Sequence, residues 1–246
     1  MKISMHKLNI LLNKEFKDIL RNNTIIFMAI LPIGMTFLYQ FMFNAQIEYD
    51  EYMPEMAMFV LIFATSMALA MIPGSALPTI IAEEKEKNTL RTLILSDVNG
   101  GEFLLSKTIT ILVVLFAVLS AIFFIAGVDV SHLPMFLLTC LLAAISLSLI
   151  GALIGLISKN QMSAGMIASP VMMVLMLLPM LRMFDPVLER IAFFFPTTSI
   201  AIVLETLMFY GNDWSIILPN YAVLGGWIIG AITIFILFYN RLSRDN

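Results

Sequence analysis

The chain has 246 residues, 60% of them hydrophobic and only 13% charged, roughly half the charged share of an ordinary soluble domain, and its mean hydropathy is +0.95. A formal net charge of −3 gives no reason to expect nucleic acid or a strongly charged soluble partner. One cysteine and two histidines leave no disulfide framework and no zinc-type cluster, and the first apolar block is as long as a full membrane span, unlike the short core of a cleavable signal.

From the N-terminus, residues 1–22 predict an amphipathic helix. Leu8, Leu11, Leu12, Phe16, Ile19 and Leu20 fall on one face, opposite Asn9, Asn13, Lys14, Lys17 and Arg21, as in a helix lying in the inner headgroup layer. An ordinary helix packed on the bundle is the competing reading. Six segments then approach the ~20 apolar residues that cross a bilayer: 24–43, 56–81, 108–128, 133–157, 162–181 and 216–239. Even spacing and short connectors predict one all-α membrane domain over 1–246.

Span one carries Met28, Met35 and Met42 on one face, and span five carries Met162, Met166, Met173, Met176 and Met180, with Ser169 filling the gap. Methionine is flexible and polarisable, so such a stripe suits either a packing seam or a surface that adapts to varied apolar molecules. In span two, Pro73-Gly74-Ser75-Ala76-Leu77-Pro78 reads as a kink rather than an ion site. Gly151-x-x-x-Gly155 and Gly226-x-x-x-Gly230 predict close helix contacts.

Residues 82–107, AEEKEKNTLRTLILSDVNGGEFLLSK, form the longest polar stretch between two spans. A helix continues from Ile81 to Ile94, with Glu83 and Lys87 paired at i,i+4 and an apolar edge of Leu90, Leu93 and Ile94 able to dock on something. Asn99-Gly100-Gly101 then predicts a reversal. The connection 182–213 is broken at Phe195-Pro196 into two pieces, each too short to span at 1.5 Å per residue. It predicts a hairpin dipping into the outer leaflet, with Thr197, Thr198 and Ser199 satisfying the N–H groups that Pro196 opens. Glu189, Arg190 and Glu205 disfavour the alternative of two further spans.

Twelve Lys and Arg residues fall on the side of the N-terminus, loop 82–107, Lys159 and the C-terminal tail, against Arg182 and Arg190 opposite. The positive-inside rule therefore predicts that both termini are cytoplasmic. The interiors of the spans carry no titratable stations of the kind proton-coupled carriers use. No phosphate-binding loop and no nucleophile–base constellation occurs, so the chain is expected not to be an enzyme.

Loop 82–107 resembles the cytoplasmic loop between the second and third spans of ABC-2-type transporter permeases, where a pattern close to E-x-E-x-G-T-L-x-x-L-L, a turn and a downstream G/S-K recur. Glu84, Glu86, Thr89, Leu90, Leu93 and Ser106-Lys107 match; Asn88 stands where Gly is usual and Asp97 where Pro is common. The resemblance implies a type V exporter-like permease with an N-terminal interfacial helix, a re-entrant outer hairpin centred on Phe195 and Pro196, and a coupling helix using Glu83, Glu84, Lys85, Glu86, Thr89, Leu90 and Leu93. It implies a homo- or heterodimer in a bacterial cytoplasmic membrane, served by two separately encoded ABC ATPase subunits that hold the ATP and Mg, with no cofactor on this chain. Spans one, two and five surround the translocation path in that family, which raises the path-lining reading of the methionines. The expected cargo is amphipathic or hydrophobic: a peptide or antimicrobial, a lipid-like molecule or a drug. The competing class is an energy-independent channel, passive carrier, or immunity or scaffold protein.

Overall fold

The computed structural model describes residues 4–46, 53–89, 98, 100–211 and 213–242, and every regular element among them is helical. Helix α1 (Met5–Ile19) precedes α2 (Asn23–Gln46), α3 (Met53–Met71) and α4 (Leu77–Glu86). After these come α5 (Gly100–Ile125), α6 (Leu133–Ile157), α7 (Gln161–Leu181), the short α8 (Pro186–Ala192), α9 (Pro196–Glu205) and α10 (Trp214–Leu242). Six helical units are long and apolar enough to cross a membrane, with α3 and α4 acting as one unit over Glu55–Glu86. Six crossings return the chain to the end of the bundle that carries α1, here called the near end.

The α3–α4 unit is the hub. Its apolar window is 72% buried, against 17% for α2 and 22% for α10, so the latter two leave most of their surface to lipid or to another chain. Between α3 and α4, Ile72–Ala76 forms a π turn in which the Leu77 N–H donates to the Ile72 carbonyl. Pro73 and Pro78 cannot donate N–H groups, which removes two ordinary helical hydrogen bonds and favours the wider turn. The kink expected from sequence is thus a buried widening within a continuous helix.

Glycine lets that widened turn be approached closely. A β-carbon on Gly151 of α6 would lie 2.4 Å from the Pro73 carbonyl oxygen, and one on Gly155 2.8 Å from Ile81 Cβ. On Gly74 it would meet the Met172 sulfur of α7 at 2.4 Å. The first small-residue pair is therefore a helix contact, as expected. Gly226 and Gly230 have nothing within 4 Å of that position, so the second pair faces away from this chain's own helices.

Two sequence expectations about the polar loop are corrected. The helix does not run from Ile81 to Ile94; it stops at Glu86, and Asn88 adopts a left-handed φ of 58°. Asparagine is one of the few residues that tolerates this region, so it does here what a glycine would do. Thr89 is helical again, while Leu90, Leu93 and Ile94 lie outside the described residues. Gly100 and Gly101 do not form a reversal either, because both belong to the first turn of α5; Asn99, the first residue of that expected turn, lies outside the described residues. The helix consequently starts before the span expected at 108–128 and carries Glu102 and Lys107 inside it.

At the far end, α8 and the Pro196–Tyr210 helix meet at 105°. They are only roughly 10 and 22 Å long at 1.5 Å per residue. The hydroxyls after Pro196 do not cap this helix: no side chain caps it at Phe195, and Ser199 bonds back to the Phe195 carbonyl. Thr197 Oγ1 instead donates to the Leu175 carbonyl of α7 at 2.7 Å. The residue four positions on is Pro179, which has no N–H to offer, so the hydroxyl satisfies an acceptor that α7 leaves unmet. Trp227 Nε1 donates to the Phe194 carbonyl and its ring packs 6.0 Å from Phe195, fastening the bend to α10. Replacing Thr197 by Val should orphan the Leu175 carbonyl and cost about 1 kcal/mol. Thermal unfolding in detergent checks this, and an unchanged midpoint would show that the bond carries no stability.

Candidate functional site

The near end gathers most of the charge-bearing residues singled out from sequence. α4 leaves the core as Ala82 and presents four consecutive charged side chains, the first held within its own last turn and the other three by other elements. Glu83 pairs with Lys87 one turn on. Glu84 Oε1 accepts from Lys14 Nζ of α1 at 2.9 Å, and its other oxygen lies 3.1 Å from Lys107 Nζ of α5. Lys85 Nζ donates to the carbonyls of Leu156 (2.8 Å) and Ser158 (3.1 Å) at the C-terminal end of α6, where helical carbonyls lack partners and cations are favoured. Glu86 accepts from the Gln161 N–H at the N-terminus of α7, the converse arrangement.

Beneath this belt lies a buried ion network. Glu15 of α1 is 2% exposed and accepts from Lys107 Nζ at 2.8 Å; that ammonium also stands 5.0 Å over the Phe103 ring. Lys14 reaches Glu15 at 3.3 Å and Asp18 at 3.5 Å as well as Glu84. Burial works against the Lys14 charge, but the Glu84 hydrogen bond and the fields of Glu15, Glu84 and Asp18 outweigh it and hold the ammonium above the usual lysine range. A second tie joins the same elements, with the Ser4 N–H donating to the Glu102 carboxylate at 2.7 Å.

Charges buried at this depth are costly unless paired, and a pair that loses one member leaves an uncompensated ion. The network therefore sets one docking position for α1 against α4 and α5. The face that α1 buries is Leu8, Leu11, Glu15 and Ile19, whereas Leu20 is exposed. Glu15 thus falls within an apolar stripe, at i+4 from Leu11 and i−4 from Ile19. That was the signal for the network, since a carboxylate on a buried stripe demands a partner. Lys107 was matched in sequence as half of a motif; its partner in α1 is 92 positions away and no local pattern pointed to it.

The methionine stripes separate into exposed and packed parts. Met162, Met166 and Met173 are largely exposed on the outside of α7, with Ser169 beside them, while Met176 and Met180 pack partly against the core. On α2, Met28 packs against the core, Met35 is half-buried and Met42 is exposed. Both helices pack on α3. Phe195 and Pro196 form the bend at the far end.

A comparison with protein families matches residues 5–237 to the ABC-2 family transporter proteins. The chain belongs to that family. It is a multi-pass membrane component of an ABC transporter, in a family of permease subunits that are not themselves the ATPase. No curated protein matches it closely enough to add to that assignment. In this permease the near end is where the last turn of α4 is tied to α1, α5, α6 and α7.

Proposed function

We propose that this permease is the membrane subunit of an ATP-driven exporter in a bacterial cytoplasmic membrane, with both termini cytoplasmic. Two permease chains pair, as a homo- or heterodimer, and two separate ABC ATPase subunits binding ATP and Mg dock at their near ends. The cargo is amphipathic or hydrophobic, in keeping with the uncharged, methionine-bearing faces of α2 and α7.

The observation that carries this reading is the clamp on residues 84–86. Their side chains join α4 to α1, α5, α6 and α7, so force applied to the adjoining loop passes to four helices at once. A free tether would dissipate it. The carboxylates of Glu84 and Glu86 are engaged within the chain, and in this reading the ATPase docks on the apolar edge of Leu90 and Leu93, which lies outside the described residues.

Changing Leu90 and Leu93 together to Ala removes two docking side chains, worth roughly 1.5 to 3 kcal/mol each by transfer alone. The double variant is expected to reach the membrane at normal levels while transport and stimulation of the ATPase fall away. Wild-type transport by that variant would remove the coupling assignment.

A further inference from the structure

At the far end, opposite α1, the α3, α7 and Pro196–Tyr210 segments enclose a cavity of about 690 Å³, within the size range of small-molecule sites. Its floor is apolar and buried, formed by Met58, Ile62 and Pro179, and Phe59, Phe209 and Tyr210 supply aromatic wall. The π turn Thr206–Tyr210 turns the last two of these into it.

The charge of this lining is unbalanced. Arg182 is the one cation there, and its guanidinium is committed to Glu205. Glu55 and Glu189 also line the cavity, and among the described residues neither has an ion-pair partner. An anion would meet two uncompensated carboxylates, and a purely apolar molecule would leave them without use. A cation with a bulky apolar body satisfies both features, with its charge near the carboxylates and aromatic faces and its body on the floor.

We infer that this cavity is a binding site for amphipathic organic cations. The site lies within a single chain, away from the clamped near end. Glu55 and Glu189 confer the charge preference, and Phe59, Phe209 and Tyr210 hold the apolar body.

The probes are tetraphenylphosphonium and tetraphenylborate, ions of the same shape and opposite charge, titrated against the full chain in lipid nanodiscs with empty nanodiscs subtracted. The phosphonium is expected to bind at least about tenfold tighter than the borate, the difference one good charge contact makes. The Glu55→Gln/Glu189→Gln variant should lose that preference, and Asp129→Asn, an acid removed outside the cavity, should keep it. Equal binding of both ions, or an unchanged preference in the double Gln variant, would overturn the site.

A second measurement needs no acidic substitution. Met183 lies at the mouth and is 72% exposed. A Met183→Cys chain should react with a water-soluble maleimide, and tetraphenylphosphonium should slow that reaction severalfold. Absence of protection at saturating phosphonium would also overturn the proposal. Both assays read binding without ATP or transport, so a negative result removes this site and leaves the exporter reading standing. A failed Leu90/Leu93 test would conversely leave the site untouched.

Discussion

Replacing Lys107 by Met is expected to destabilise the protein by about 3 to 5 kcal/mol, the range found when one member of a buried ion pair is removed. The side chain is 1% exposed and holds Glu15, itself almost wholly buried, at 2.8 Å, with Glu84 at 3.1 Å. Methionine fills most of the lysine volume, so the loss is electrostatic rather than steric. Among the described residues Glu15 then has only Lys14, at 3.3 Å, and Lys14 is shared with Glu84 and Asp18. Thermal unfolding in detergent should show a large drop in midpoint, accompanied by proteolytic release of α1. Adding Glu15→Gln to the same chain should recover much of the loss, because it removes the stranded charge. A Lys107→Met protein as stable as wild type would show that the network has no bearing on where α1 docks.

The second large effect is expected at Gly151. An alanine there places its Cβ 2.4 Å from the Pro73 carbonyl oxygen and 3.2 Å from Pro78 Cδ. Both neighbours belong to the proline-bounded turn of the hub, so no flexible side chain can swing aside. The helices α4 and α6 must separate. Overpacking of this kind costs typically about 1 to 3 kcal/mol, and a backbone neighbour places Gly151→Ala at the upper end of that range. The separation also loosens the Lys85 contacts to Leu156 and Ser158 at the end of the same helix pair, so transport should fall together with stability. Gly226→Ala is the internal control, since its Cβ meets nothing within 4 Å. Its effect on the stability of the isolated chain should stay within about 0.5 kcal/mol. Equal effects at the two positions would show that close approach at Gly151 is not what holds α4 to α6.

The two effects differ in how far sequence could anticipate them. Gly151 and Gly155 stood out because small residues one turn apart mark a contact whatever the partner is, although nothing in their spacing named the Pro73–Ile81 turn. Lys107 was matched as part of a loop motif, and Glu15 was passed over in favour of Leu12 and Phe16, because an amphipathic pattern does not say which edge of the apolar face goes deepest. The loop helix was extended too far for a similar reason. Periodicity through Ile94 is real, but it carries no information on the left-handed turn at Asn88. The hydroxyls after Pro196 were assigned to the nearest free N–H groups, whereas the acceptor that mattered was a carbonyl on α7, left open by a proline in a different helix.

What the sequence by itself determined is the membrane class, the approximate positions of the six apolar segments and the family. Each of these follows from properties that are local along the chain: runs of apolar residues long enough for a bilayer, and a loop motif short enough to read in one window. The partners of Glu15, Lys85 and Lys107, the π turn against Gly151, and the cavity between α3, α7 and the Pro196–Tyr210 segment were decided only by the tertiary structure. Each of these joins residues far apart in sequence, and within apolar helices of near-uniform hydrophobicity no periodic pattern states which face meets which neighbour. Packing, proline-broken hydrogen bonds and the need to pair buried charge select the arrangement, and those constraints act only once the helices are side by side.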